Sequence, residues 1–187
     1  LHKIDTPYLL VTTGGGGDGE DVVDWVLRAY ENDKRLPYPS LLVLGPFMHS
    51  DRQTEFLARA AQLDKVEAIT FDAQMEHLMS RAIGVVAMGG YNTFCEIVSF
   101  DKPALIIPRT RPRMEQYLRA AKSEEIGLTS MLEDDGVRDW RKMATARRQL
   151  PQQAQPSEVV VPGLLDGLIN VNRLTQQALE RGRQPAA

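Results

Sequence analysis

The stretch LLVTTGGGGDGED, residues 9–21, joins a short apolar run to four consecutive glycines and then to acidic residues. An apolar run that ends at glycine predicts a buried strand over residues 8–12. Residues 21–30 place valines and a leucine on one side of a predicted helix. Because glycines lose much backbone entropy on folding, the loop between this strand and helix must require their small size or their freedom.

The alternation of strand and helix continues along the chain. Further strands are predicted at residues 40–44, 66–71, 83–88 and 103–107. Helical patterns are predicted at residues 51–63, 75–82, 92–100, 114–125 and 137–150. Such repeats predict an α/β fold, a doubly wound and Rossmann-like parallel sheet whose ligands bind beyond the carboxyl ends of the strands.

Length suits one lobe of a larger protein. Of the 187 residues, we expect 1–150 to form the lobe and 151–187 to form a linker and a last helix at 164–179. Because the chain begins at Leu1, close to its first strand, we expect it to be a fragment.

Composition excludes several functional classes. The net charge of −3 argues against a nucleic-acid partner, and no apolar run approaches the ~20 residues that span a bilayer. No cysteine and histidine cluster has the spacing of a metal site. The single cysteine, Cys95, follows a predicted core position, and we expect it to be packed.

The first unusual loop is the glycine run itself. Backbone N–H groups at the start of a helix stabilise an anion, and the absence of Cβ atoms lets a diphosphate approach the main chain. No Gly-Lys-Ser/Thr follows, so this is not a Walker loop. A tight turn packed without any ligand remains the alternative.

The second loop is MGGYNTFCEIV, in which an apolar strand ends at Gly89 and Gly90. On the helix that follows, Phe94, Ile97 and Val98 are predicted to be buried. Glu96 lies nearly opposite them and could accept hydrogen bonds from ribose hydroxyls, as acids do in other nucleotide-binding folds. A solvated helix face is the alternative for a lone glutamate.

The third loop is IIPRTRPRMEQYLRAA, in which three arginines within five residues, Arg109 to Arg113, follow a strand. Arginines suit anionic ligand groups. Glu115 and Gln116 open the next helix, where they can bind sugar hydroxyls. We predict that Met114 and Leu118 face the core and turn Gln116 away from it. A solvated loop before a helix remains equally open.

Together the three loops resemble the C-terminal, donor-binding half of two-lobed (GT-B) glycosyltransferases, in particular the glycosyltransferase 28 group. GGGDGE resembles the family's Gly-Gly-Ser-x-Gly loop, with Gly17 in place of the serine. GGYNTFCE resembles its small-Gly-x-x-Thr-x-x-Glu motif, and PRTRPRMEQ resembles its proline loop that ends in a glutamine pair or Glu-Gln. The motifs cover most of residues 8–127.

The resemblance implies a site and an activity. The activity is transfer of a hexosyl group from a nucleotide sugar, which the family suggests is a UDP-sugar, to an acceptor. Near residues 69–72 the base would pack against backbone. The implied donor-binding residues are Gly15, Gly16, Gly17, Asp18, Gly19, Phe71, Gly89, Gly90, Tyr91, Asn92, Thr93, Glu96, Arg109, Glu115 and Gln116.

The resemblance also implies partners and a location. The catalytic base is expected on an N-terminal acceptor-binding lobe absent from this sequence, so the chain alone should be inactive. No metal or other cofactor is expected. The implied location is cytoplasmic, with association at the inner face of the membrane allowed by the family.

Two other functions remain open. A nucleotide-sugar epimerase shares the fold and the ribose-binding glutamate, and a non-catalytic nucleotide-binding module would share the loops. A dinucleotide-binding domain fits less well, because no acid ends a strand about 20 residues past the glycines. Asp33, the nearest acid, lies in a polar stretch before a proline-rich loop.

Overall fold

The computed structural model describes residues 4, 6–15, 17–111 and 114–159. The strands among them are β1 (Leu9–Thr12), β2 (Ser40–Val43), β3 (Val66–Ile69), β4 (Gly84–Ala87), β5 (Ala104–Ile106) and β6 (Ser130–Met131). The helices are α1 (Glu20–Asn32), α2 (Ser50–Ala61), α3 (Met75–Arg81), α4 (Tyr91–Ser99), α5 (Glu115–Glu125) and α6 (Trp140–Gln149). Short 3₁₀ turns follow at Leu150–Gln152 and Pro156–Glu158. The helix predicted at residues 164–179 lies outside the described residues.

The strands form one parallel sheet in the order β3-β2-β1-β4-β5-β6. This is the strand order of the Rossmann fold, so the predicted fold class is confirmed. The chain winds outward from β1 in one direction and from β4 in the other. The loops after β1 and β4 therefore separate at the carboxyl edge and leave a crevice between them.

Both faces of the sheet are covered, as the apolar strands require. Leu9 and Val11 of β1 join a core with residues of α1, α2 and α6. Leu10 points the other way, into a core with residues of α3, α4 and α5. The alternation follows from the two-residue period of a strand, and it fixes the carboxyl end of β1 firmly beneath the glycine loop.

Two predictions about side-chain burial on α4 and α5 are wrong. Cys95 is exposed rather than packed, because on α4 only Ile97 is fully buried. On α5 the buried residues are Ala120 and Ser123. Met114 and Leu118 are exposed, at 46% and 64%. The buried side chains of α5 are thus small ones, which an apolar stripe does not reveal.

Candidate functional site

The glycine loop after β1 is held by packing on its inner side. Thr13 donates its Oγ1 hydrogen to the carbonyl of Leu44, at 2.9 Å. A Cβ atom on Gly19 would lie only 2.2 Å from Cβ of Thr13. Gly19 is therefore glycine for a packing reason, since it lets the start of α1 lie directly against the end of β1.

The same loop rests on the loop that follows β2. The carbonyl of Gly15 accepts a hydrogen bond from the N–H of Phe47 at 2.8 Å. Gly45 has φ of +88°, and a Cβ there would lie 2.7 Å from backbone atoms of the glycine loop. On the outer side, Cβ atoms on Gly14 or Gly17 would meet nothing within 4 Å. The main chain of the glycine loop is therefore held by contacts on its inner side and is unobstructed on its outer side.

The turn between β4 and α4 is equally constrained. Gly89 has φ of +78°, and a Cβ there would lie 2.7 Å from Cγ2 of the buried Ile106. Its carbonyl accepts a hydrogen bond from Nη1 of Arg119 at 2.7 Å. Gly90, by contrast, has open space at its Cβ position. Arg119 was not predicted as a site residue, yet it anchors this turn from α5.

The loop after β5 brings a cation to the glycine loop. The backbone N–H of Arg109 donates to Oε1 of Gln116 at 3.3 Å. The guanidinium of Arg109 forms an ion pair with the carboxylate of Asp18. Gln116 is half-buried rather than turned away from the lobe, so it fixes the loop that carries Arg109.

These loops enclose a cleft of about 250 Å³ at the point where the strand order reverses, which we call the switch-point cleft. Its lining residues are Thr12, Thr13, Gly14, Gly15, Gly17, Asp18, Met88, Gly89, Gly90, Thr93, Arg109 and Gln116. Eight of the fifteen predicted donor-binding residues are in this set. The predicted set lacked Thr12, Thr13, Gly14 and Met88, although two hydroxyls at the end of an apolar strand are a usable signal.

The structure leaves six of the other predicted residues outside this lining. Gly19 packs against Thr13. Gly16 lies outside the described residues. Phe71 and Tyr91 are 62% and 66% exposed. Glu115 forms an ion pair with Arg119 at 2.5 Å.

The last two residues of that group lie on α4 beside the cleft. Asn92 and Glu96 are exposed and share one side of the helix, four residues apart. Glu96 is also one turn from Thr93, which lines the cleft. A ligand that extends along α4 from the cleft would therefore reach Glu96.

The electrostatics of the switch-point cleft favour an anion. Helices α1 and α4 both begin beside it, and among the described residues no side chain caps either helix start. Their first backbone N–H groups therefore lack helical partners, and the helix dipoles place partial positive charge there. Arg109 also lines the cleft, where its charge is paired with that of Asp18.

A second, larger cleft of about 470 Å³ adjoins the first and shares Gly17, Asp18, Met88 and Arg109 with it. We call it the outer cleft. Its other lining residues are Glu20, Asp21, Val22, His49, Ile107, Pro108, Thr110, Arg111 and Asp134. On its wall, Nδ1 of His49 lies 2.7 Å from Oε1 of Glu20. His49 directly precedes α2, and its side chain makes no capping hydrogen bond to the start of that helix.

Two features are absent from the described residues. In that part of the chain, no three or more His, Cys, Asp and Glu side chains are grouped so as to hold a metal ion. Within the same residues, no helix has the length and apolar character needed to cross a membrane.

The fold and the switch-point cleft define a Rossmann-like lobe of the GT-B type. The chain belongs to the glycosyltransferase family 28 C-terminal domain family, whose model matches residues 9–154. It is the C-terminal lobe of such a glycosyltransferase, as the sequence motifs predicted.

Known proteins resemble the chain over part of their length. It is 27% identical, over 135 residues, to the UDP-N-acetylglucosamine–N-acetylmuramyl-(pentapeptide) pyrophosphoryl-undecaprenol N-acetylglucosamine transferase of Clostridium kluyveri, covering 71% of this chain and 36% of the relative. The chain therefore spans about a third of that curated relative.

Two solved structures show the same fold. MurG of Acinetobacter baumannii superposes with a TM-score of 0.64 at 16% identity, over 90% of this chain and 50% of that one. The UDP-GlcNAc 2-epimerase of Neisseria meningitidis, solved with UDP-GlcNAc bound, gives 0.54 at 13% identity, over 92% of this chain and 45% of that one. The fold is therefore shared by transferases and an epimerase.

Proposed function

We propose that this lobe binds the donor of a hexosyltransferase, a nucleoside diphosphate sugar, and that the donor is a UDP-sugar. One observation carries the proposal: two uncapped helix starts, the open glycine loop and Arg109 converge on the switch-point cleft. The UDP assignment is supported by the name of the Clostridium kluyveri relative, whose donor is UDP-N-acetylglucosamine.

In this proposal the diphosphate lies against the glycine loop. Gly14 and Gly17 leave their backbone open to the cleft, so phosphate oxygens can accept hydrogen bonds from main-chain N–H groups. When the bond to the sugar breaks, negative charge develops on the leaving diphosphate. The helix starts and Arg109 stabilise that charge from fixed positions, which lowers the barrier to transfer.

The sugar and ribose ends are placed by the neighbouring elements. Gln116 lines the cleft and presents an amide suited to the hydroxyls of the donor sugar. Glu96 lies one turn beyond Thr93 on α4, where its carboxylate can accept hydrogen bonds from both ribose hydroxyls. Arg109 then faces the diphosphate, which lies between the sugar and the ribose.

The rest of the enzyme is part of the proposal. The chain spans 36% of its curated relative and 50% of the solved MurG chain. We propose that residues 1–150 form the donor lobe, that 151–187 follow as a linker and helix, and that an N-terminal lobe supplies the acceptor site and the catalytic base. The chain alone would then bind the nucleotide and transfer nothing. The proposal includes no metal or cofactor, a cytoplasmic location and contact with the inner face of the membrane.

Isothermal titration calorimetry of this chain against UDP, GDP, dTDP, ADP and NAD tests the donor assignment. We expect UDP to bind most tightly and Glu96→Ala to weaken that binding, because the ribose hydroxyls lose their hydrogen-bond acceptor. Glu125→Ala, an exposed acid at the far end of α5, is the matched control and should leave binding unchanged. Tight binding of NAD, or UDP binding that Glu96→Ala does not weaken, would overturn the proposal.

A further inference from the structure

An acidic side chain faces the proposed diphosphate site. Asp18 lies on the glycine loop and pairs with Arg109, which is 91 residues away in the chain and follows β5. Both residues line the switch-point cleft and the outer cleft. The ion pair therefore stands at the boundary of the two clefts, where it joins the glycine loop to the loop after β5.

The pair leaves the switch-point cleft without a free cation. Among the described residues that line this cleft, Arg109 is the single Lys or Arg and Asp18 the single carboxylate. A diphosphate beside Asp18 would be repelled by its charge and would find the guanidinium occupied. An acid at this position therefore opposes the ligand that the glycine loop and helix starts favour.

Arg109 also has an unused hydrogen-bond donor. Its Nε is buried and has no hydrogen-bond partner among the described residues. A guanidinium binds phosphate most strongly through two parallel N–H groups. In the present arrangement Asp18 engages Nη1 alone, so binding of a phosphate through a pair of donors that includes Nε requires the Arg109 side chain to turn and expose that atom.

We propose that Asp18 sets the affinity of the site for a diphosphate: its carboxylate holds Arg109 until the diphosphate displaces it. This inference rests on the proposed function. A ligand that carries a diphosphate replaces the carboxylate and gains two N–H donors from Arg109. An uncharged nucleoside does not compete for Arg109, so the pair stays closed and Asp18 leaves the affinity for such a ligand unchanged.

The effect on affinity is limited by solvent. The side chains of Arg109 and Asp18 are 38% and 58% exposed, and exposed ion pairs are weak. Removing the competing carboxylate should therefore tighten UDP binding by about two- to five-fold. The gain should shrink as salt is added, because exposed charges are screened within about a Debye length.

Calorimetric titration of UDP and of uridine into five forms of this chain tests the proposal. The forms are the natural sequence, Asp18→Asn, Arg109→Gln, the double variant and Asp21→Asn. Asp21→Asn removes an equal charge from the same region but from a different ion pair, with Arg138 at 2.7 Å. It therefore measures simple charge repulsion.

We expect Asp18→Asn to tighten UDP binding more than Asp21→Asn does, and to leave uridine binding unchanged. In the Arg109→Gln background the gain from Asp18→Asn should disappear, because the two residues act as a unit. Equal gains in both backgrounds, or weaker UDP binding by Asp18→Asn, would overturn the role of Asp18 while leaving the donor site standing. Failure of the natural sequence to bind UDP would overturn both proposals.

Discussion

The adjacent glycines of the β4–α4 turn should respond to the same substitution in opposite ways. Gly89 has φ of +78°, and a Cβ atom added to it would lie 2.7 Å from Cγ2 of Ile106. Gly90 has φ of −55° and ψ of 152°, which any residue adopts, and its Cβ position is open. Gly89→Ala should therefore damage the fold, and Gly90→Ala should not.

The size of the effect follows from two terms. A left-handed backbone costs an alanine about 1–2 kcal/mol. An extra methyl against Ile106, which is 1% exposed and cannot retreat, adds about 1–3 kcal/mol. We therefore expect Gly89→Ala to lower the free energy of unfolding by about 2–5 kcal/mol. Gly90→Ala should leave it unchanged or raise it by up to about 1 kcal/mol, because alanine restricts the unfolded chain.

Urea unfolding followed by tryptophan fluorescence measures both variants, since Trp25 is fully buried. With a slope of about 2 kcal/mol per molar urea, Gly89→Ala should lower the midpoint by about 1–2.5 M. Gly90→Ala should keep its midpoint but bind UDP more weakly, because its methyl enters the switch-point cleft. Equal midpoints for the two variants would refute the assignment of Gly89 to folding and Gly90 to the ligand surface.

Two further predictions concern the rest of the lobe. Arg147 is 2% exposed and donates to Tyr30 Oη at 2.6 Å, while its Nε and Nη1 have no partner among the described residues; burial lowers its pKa. Arg147→Met should leave the free energy of unfolding in urea unchanged or raise it by up to about 2 kcal/mol, and a loss above about 1 kcal/mol would contradict this. Hydrogen bonds from Lys142 first, and then from backbone N–H groups, lower the pKa of Asp135 to about 2. The stabilisation from this carboxylate should be present above pH of about 4 and be lost as pH falls through about 2, so an NMR titration of Asp135 with a midpoint near 4 would refute it.

The architecture was predictable because each element carries its own local signal. Glycines or prolines end most of the strands, and the apolar pattern changes period between strand and helix. Strand β6 was missed for a physical reason. It has two residues, Ser130 and Met131, and exists through pairing with β5. No local pattern of two residues can predict a strand.

The prediction of the buried face of α5 was wrong because the buried side chains of this helix are small or polar, not large and apolar. The apolar stripe through Met114 and Leu118 predicts that these two residues are buried. Instead Ser123 is buried and shares a hydrogen bond with Thr129 at 2.7 Å. These two buried hydroxyls satisfy each other's hydrogen-bonding capacity. Thr129 lies outside the helix, just before β6, so the sequence of the helix alone does not show this pairing.

The candidate site divides in the same way. The glycines, Arg109 and Gln116 were predicted from local motifs, and the structure brings them to one cleft. The pair between Asp18 and Arg109 joins residues 91 positions apart, so it depends on how two loops approach each other. No spacing rule in the sequence contains that information.

The most direct test of the donor site is a crystal structure of this chain with UDP. We predict that the diphosphate lies in the switch-point cleft, against the backbone of Gly14, Gly15 and Gly17 and the start of α4. The guanidinium of Arg109 should then contact phosphate rather than Asp18, and the ribose should lie at Glu96. UDP bound elsewhere, or a diphosphate turned away from the glycine loop, would contradict the proposed donor site.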